Sequence, residues 1–337
     1  MKILNIMLSR KLGGIEQAFL DYNTAFKLQD IEVVNITSIF AKINLALAKH
    51  NGCNLKLPNF GPWDIFSSLY LKLLIKITKP DVIIAHGNRA INFALGNNIT
   101  LIGIAHNYNI NWLKKCDYII ALTDHMKNHL IEQHCDESKI IIIPNMIVIN
   151  KDERYKKRNN PVIIATIARF VRKKGIDIFL HSLAKLKEQR YAFKALIGGD
   201  GVEKDRLINL SINLGLDEYI SFTGWVKDKN KFFNDIDILC IPSLHEPFGI
   251  IALEAMESCL PIVASRSEGL SEIIRDRQDG LLCDIGSSDD LAKKIAYLIQ
   301  NEDIARNLSG SAYCRLKEKY DIKVLSLSLV NFIKKIL

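Results

Sequence analysis

Residues 242–284 read PSLHEPFGIIALEAMESCLPIVASRSEGLSEIIRDRQDGLLCD, and the rest of the chain is best understood outward from them. A β-branched apolar run, 236–241, comes just before and has the length of a buried strand. Pro247 and Gly249 break that pattern. Ile250, Leu253, Ala255 and Met256 then fall at helical spacing, so a loop hands over to a helix at 250–258. A second apolar run, 260–264, completes a strand–loop–helix–strand unit. Its loop carries Glu246 and its helix carries Glu254.

Two glutamates eight positions apart invite comparison with catalytic carboxylate pairs. If both were helical, a rise of ~1.5 Å per residue would part them by roughly 12 Å. Hydrolytic pairs sit roughly 5–9.5 Å apart. Glu246 precedes the helix, which leaves room for it to bend closer. A ligand gripped at two places suits the spacing better, each glutamate accepting hydrogen bonds from a cluster of hydroxyls. Between them lie the N–H groups of Phe248, Gly249, Ile250 and Ile251, at a helix N-terminus that favours a phosphate. Sugar, diphosphate and ribose in a row would satisfy all three. On spacing alone, two solvated glutamates are the plainer reading.

The wording of the stretch adds to its spacing. EPFGIIALEAM at 246–256, LPIVAS at 260–265, Glu272-Ile-Ile and Asp279-Gly-Leu-Leu resemble the donor-binding segment of glycosyltransferase family 4. Members are retaining enzymes that move a sugar from a nucleotide-sugar. The resemblance implies an α/β GT-B fold: two facing, doubly wound, parallel-sheet domains of Rossmann type with an interdomain cleft. It also implies that Glu246 holds sugar hydroxyls and Glu254 the ribose. The chain departs from the family at Cys259, where glycine is usual, at Glu268-Gly269 in place of Gly-Gly, and at Ser271 in place of proline. Those departures bear on the sugar more than on the reaction.

Composition agrees with such a fold. A chain of 337 residues has room for two ordinary domains, and 48% hydrophobic with 24% charged residues is globular. No apolar run nears the ~20 residues of a membrane span. The opening MKILNIMLSRKLGG has too short an apolar core for a signal peptide. Seven cysteines without a close Cys-x-x-Cys pair argue against a disulfide framework or a zinc site. The expected compartment is the cytoplasm. The net charge of +8 is spread evenly over both halves. It lacks the concentrated stripe of a nucleic-acid reader and leaves phosphorylated substrates or anionic lipid as partners.

Short apolar runs at 2–8, 32–37, 81–85, 100–105, 117–122 and 139–143 alternate with helical segments. A second set follows at 162–167, 193–197, 220–223 and 236–241. Such alternation predicts parallel, doubly wound sheets, whose ligands sit at the carboxyl ends of the strands. Gly13-Gly14 follows the first strand and opens the helix at 15–28. His86, with Arg89 nearby, follows another strand, and His106 a third. A lone histidine there is more often a structural hydrogen-bonder.

The resemblance gives these positions roles. Gly13 and Gly14 match the family's glycine loop facing the donor phosphates, and His106 its active-site histidine that contacts the transferred sugar. His86 and Arg89 are candidates for the acceptor. Arg169 and Lys174, from the family's Arg…Lys-Gly motif, are assigned to the pyrophosphate, where Arg binds by bidentate bonds and Lys as a point charge. Trp225 and Val226 follow the strand whose end borders the base. The expected catalytic set is His106, Glu246, Arg169 and Lys174, without a metal or cofactor. The expected domains are 1–155 on the acceptor side, 156–320 on the nucleotide-sugar side, and 321–337 as a helix crossing back to the first.

Residues 60–79 carry Trp63, Phe66, Tyr70, Lys72, Lys76 and Lys79. A basic amphipathic helix rests on membrane surfaces. Apolar residues occur nearly all round this one, so core packing is the expectation. The expected reaction is transfer of a hexose-type sugar from a nucleotide diphosphate-sugar, UDP by preference, to a hydroxyl of a glycan or lipid-linked acceptor. Retention of configuration and a place in cell-surface polysaccharide or lipopolysaccharide synthesis follow from the resemblance. A nucleotide-sugar epimerase or phosphorylase on the same fold stays open, as does an inactive sugar-nucleotide-binding partner protein.

Overall fold

A computed structural model describes every residue except 11–12, 49–52, 62–63, 151, 153–154 and 156. Trp63 and part of the charged connector at 151–160 therefore lie outside the described residues. The chain forms two compact units, Met1–Val148 with Lys319–Leu337, and Ile149–Glu318.

In the first unit the elements run β1 (Lys2–Met7), α1 (Gly14–Leu28), β2 (Glu32–Ser38), α2 (Asn44–Leu47), β3 (Cys53–Leu57), α3 (Ile65–Thr78), β4 (Val82–His86), α4 (Asn88–Ala94), β5 (Thr100–Ala105), β6 (Tyr118–Ala121), α5 (Asp124–Glu132) and β7 (Ile140–Ile142). The seven strands are parallel in the order β3-β2-β1-β4-β5-β6-β7. Central strands such as β4, VIIAH, are buried along their whole length. Helices cover both faces of such sheets, so the strands read as continuous apolar runs. β3, CNLKL, escapes sequence detection because it is a half-exposed edge strand with mixed polarity.

The second unit contains β8 (Val162–Ile167), α6 (Ile176–Glu188), β9 (Phe193–Gly198), α7 (Lys204–Asn213), β10 (Ile220–Gly224), α8 (Lys229–Asp235), β11 (Ile238–Ile241), α9 (Ile250–Glu257), β12 (Ile262–Ser265), α10 (Glu268–Ile273), β13 (Leu281–Cys283), α11 (Ser288–Gln300) and α12 (Glu302–Lys319). Its six parallel strands are ordered β10-β9-β8-β11-β12-β13. The last helix, α13 (Ile322–Ile336), belongs to the first unit. There it packs on α1, with Gln29 Nε2 donating to Ser326 Oγ at 3.0 Å.

Both sheets reverse their winding once, between β1 and β4 and between β8 and β11. Crevices for ligands open outside the carboxyl ends of strands at such switch points. Gly13 lies beyond the end of β1 and His86 is the last residue of β4, while Arg169 and Glu246 lie beyond the ends of β8 and β11.

One expectation needs correction. Helix α3 is not packed all round: Ile65, Phe66, Leu69, Tyr70, Leu73 and Ile77 are exposed, Phe66 at 85%. Leu71, Leu74 and Ile75 make its buried side. The helix covers the sheet near edge strand β3 and touches α4, so protein lies on one side of it only. At Cys259 the departure from glycine has a visible consequence. The residue follows α9 at φ 50°, the left-handed conformation in which glycine commonly ends helices.

Candidate functional site

In the second unit the turn after β8 carries Arg169, exposed to solvent, and then a 3₁₀ turn, Arg172–Lys174. Gly175 at φ 62° ends that turn. A Cβ there would come 2.0 Å from the Pro242 carbonyl oxygen, so only glycine lets the two strand-end loops touch. They are also tied by Leu244 N–H donating to Lys173 O at 2.9 Å. This contact brings Lys174 onto Glu246, 72 residues away, as a half-buried ion pair with side chains 21% and 13% exposed.

A second ion pair involves α9, the helix that follows the Glu246 loop. Lys229, in the first turn of α8, places Nζ 2.6 and 2.9 Å from the two Glu254 oxygens. Between the two glutamates α9 begins at Gly249, φ 105°, with no side-chain cap on its first N–H groups. Anions favour such an end. Phe248 contributes backbone there, its ring being buried in the core. Ile250 and Ile251 are half-buried in the first turn, Trp225 is 51% exposed beyond β10, and Val226 beside it is half-buried.

Glu268, where the family usually has glycine, braces the Glu246 loop. Its carboxylate accepts from Glu246 N–H at 3.1 Å and lies 2.5 Å from His245 Nδ1. Burial alone would raise its pKa, but its own and Glu246's backbone N–H and His245 together hold it below the usual value. The neighbouring Gly269 is obligatory, since a Cβ would come within 2.4 Å of Phe248 Cα. Lys229 and His245 were not singled out from sequence, and Glu268 only as a departure from the family's glycine. Their partners lie 22–25 residues away, and neither spacing nor periodicity signals such pairs.

The first unit is chemically unlike this. Gly13 caps α1 with no side-chain hydrogen bond, and Gly14 is exposed, so the helix start again presents bare N–H groups. Strands β4 and β5 pair side by side and deliver His86 and His106 to the same end. The rings stack with centroids 5.3 Å apart, and His86 Nδ1 lies 3.1 Å from His106 Nε2. His86 Nε2 meets Asn5 Oδ1 at 3.0 Å. Burial pushes His106 down to about 4 and His86 well below its usual value, the latter also opposed by charge on His106. His86 is 3% exposed and lies behind His106, while Arg89 sits half-buried in the first turn of α4. Burial leaves the His86 ring little surface for direct contact with a ligand.

Among the described residues, no group of three or more His, Cys, Asp or Glu side chains is placed to hold a metal ion. No helix among them is long and apolar enough to cross a membrane.

Comparison with known proteins matches residues 148–315 to the family "Glycosyl transferases group 1" and residues 12–151 to "Glycosyltransferase Family 4". The chain is 26% identical over 255 residues to the lipopolysaccharide core biosynthesis glycosyltransferase LpsE of Rhizobium meliloti, covering 73% of each. It is 26% identical to the poly(ribitol-phosphate) alpha-N-acetylglucosaminyltransferase of Staphylococcus aureus, over 64% of this chain and 43% of that protein. With several other curated relatives the match spans about half of the relative's length. Among solved structures, Anabaena HepE in complex with UDP and glucose superposes with a TM-score of 0.86 at 20% identity, over 99% of this chain and 100% of that one.

Proposed function

We propose a donor, an acceptor and a chemical route for this chain, which belongs to the group 1 glycosyl transferases and carries their GT-B fold of two doubly wound α/β domains. The donor is a UDP-hexose, held by the second unit. Glu254 takes the ribose hydroxyls, the α9 N-terminus and Arg169 take the diphosphate, and Glu246 takes the sugar. Trp225 and Val226 border the base. The observation that carries this reading is the Lys174–Glu246 pair. One ammonium beside the sugar-binding carboxylate can also reach phosphate oxygens, so sugar and leaving group meet at a single residue.

In this route the bond from the anomeric carbon to the phosphate oxygen breaks. The acceptor oxygen bonds that carbon on the same face, and its proton passes to the departing diphosphate. Configuration is retained without a protein nucleophile. Arg169, Lys174 and the helix N–H groups stabilise the charge growing on the diphosphate, which needs neither metal nor cofactor. His106 orients the transferred sugar, and Arg89 an acidic group on the acceptor.

The acceptor is a glycan or lipid-linked glycan of cell-surface polysaccharide or lipopolysaccharide synthesis. Support comes from the names of relatives such as LpsE and from α3. On that helix the exposed row Phe66, Leu69, Tyr70, Leu73 and Ile77 is flanked by exposed Lys72, Lys76 and Lys79. An apolar stripe with a basic rim suits the face of an anionic bilayer on the cytoplasmic side.

Incubating the protein with a panel of labelled UDP-sugars and extracted lipid acceptors, with and without chelator, tests the whole proposal. The expected result is chelator-resistant transfer from one UDP-sugar to lipid-linked material with the anomeric configuration kept. Isomerised nucleotide-sugar, or phosphorolysis, would replace the transferase route by an epimerase or phosphorylase. Tight nucleotide binding with no turnover would leave a binding partner.

A further inference from the structure

We propose that Asn5 and His86 are positioning residues that hold His106 as the tautomer with hydrogen on Nε2, so that Nδ1 meets the ligand as an acceptor for a hydroxyl hydrogen. The identity of that hydroxyl, on a sugar, rests on the transferase reading; the tautomer does not.

The assignment starts from a group that has no choice. The backbone oxygen of Phe19 only accepts, and Asn5 Nδ2 lies 3.3 Å from it. The same nitrogen donates to Asn35 Oδ1 at 3.1 Å. Asn35 Nδ2 donates in turn to Asn23 Oδ1 at 2.8 Å and Asn54 Oδ1 at 3.1 Å. Every amide in this row therefore points the same way. Turning Asn5 over would set its oxygen against the Phe19 oxygen, two acceptors face to face without water.

With its nitrogen committed, Asn5 offers Oδ1 to His86 Nε2, which must carry a hydrogen. A neutral imidazole has one N–H, so His86 Nδ1 is bare. It accepts from His106 Nε2 at 3.1 Å, and that leaves His106 Nδ1 bare in its turn. The bond made by one ring nitrogen sets the state of the other, here twice in succession. Neutrality has a structural basis. His86 makes T-shaped contacts with Phe19 and Tyr22, at centroid distances of 5.5 and 5.0 Å, and no carboxylate is among its hydrogen-bond partners.

His106 is half-buried, and its Nδ1 has no hydrogen bond to a described residue. It is thus the atom through which the relay reaches a ligand. Were His86 cationic, its Nδ1 would donate, His106 Nε2 would accept, and Nδ1 would become a donor. The same ring would then select a carbonyl or anion instead of a hydroxyl.

Long-range proton–nitrogen correlation spectra of the ¹⁵N-histidine-labelled chain at neutral pH, without substrate, distinguish the two tautomers. Hydrogen on Nε2 and a bare Nδ1 are expected for both His86 and His106. A His106 ring with hydrogen on Nδ1 overturns the proposal, whatever the enzyme transfers. Asn5→Leu cuts the first link. His106 should then populate both tautomers, and kcat should fall about tenfold, the scale of one hydrogen bond. Nucleoside diphosphate affinity should stay unchanged. A folded Asn5→Leu protein whose His106 keeps a single Nε2–H tautomer overturns the role of Asn5. His86→Phe, which suits the aromatic surround, makes the same test one link nearer.

Discussion

The two units share a winding and differ in what they place at its switch point. Beyond β8 and β11 stand the Lys174–Glu246 ion pair, an exposed Arg169 and, on the helix that follows, Glu254 paired with Lys229. At β1 and β4 stand a row of asparagines set within the sheet, Asn5 beside Asn35, and two stacked histidines whose pKa values burial lowers. A parallel sheet decides where a ligand is received and leaves its charge to the loops. In the proposed reaction the ionic end would receive a diphosphate whose charge grows, and the neutral end hydroxyl groups. Four measurements would break or sharpen that contrast.

Lys174→Ala should have the largest effect. It removes a cation from the growing charge and leaves Glu246 without its lysine. Loss of a preorganised charge-stabilising group costs about 10²–10³ in kcat, or roughly 2.7–4 kcal/mol. Nucleoside binding measured by calorimetry should change far less, because the group acts mainly in the transition state. If Lys174→Ala slows turnover no more than Asn5→Leu does, the contrast fails.

Next comes the response to acid, which should differ between the units. A histidine depressed in the folded state binds its proton more readily when unfolded. Folding stability is therefore present above the ordinary histidine value of ~6.5 and is lost as pH falls toward the folded value, about 4 for His106. Each unit of depression is worth about 1.4 kcal/mol. Glu268 is also depressed, but its contribution is lost only below the ordinary glutamate value of ~4.3. Urea titrations from pH 7 to 4 should show the loss beginning near 6.5, and His106→Gln should flatten it. An unchanged pH profile in that variant would mean that His106 is not the group titrating.

Glu254→Ala should weaken nucleoside diphosphate binding at least tenfold, since hydrogen bonds to a charged group are worth about 1.5–3 kcal/mol. Its lysine partner gives a control. Lys229→Ala should lose less, and the double variant should not add the two losses, because the side chains touch. Wild-type affinity in folded Glu254→Ala would move the ribose elsewhere.

The smallest effect belongs to α3. Each lysine near an anionic surface is worth about 1 kcal/mol and is screened over ~8–10 Å at 0.1–0.15 M salt. Co-sedimentation with anionic vesicles should fall with salt and with Phe66→Ser or Leu73→Ser, and neutral vesicles should bind less. Equal absence from both vesicle types would point to a soluble acceptor.

Much of this protein was readable before any coordinates. The alternation of apolar runs with helical periods foretold both parallel sheets apart from their edge strands β3 and β13, and β5 and β8 occupy the predicted residues. The loop–helix at 246–257 and the strand-end positions of Arg169 and His106 were legible for the same reason. Side-chain periodicity and turn residues are local properties. They also misled locally: α3 looks apolar all round, yet one side of it faces solvent because its neighbour is an edge strand.

Tertiary structure alone decided who meets whom. The strand orders set the switch points, and those brought Lys174 to Glu246 across 72 residues, Lys229 to Glu254 across 25, and Asn5 to His86 across 81. Residue spacing along one segment carries no information about such pairs. Parallel strands are joined by crossovers, so neighbours in the sheet lie far apart in the chain. Burial then lowered the pKa of both histidines, because the cost of a charge depends on everything packed around it.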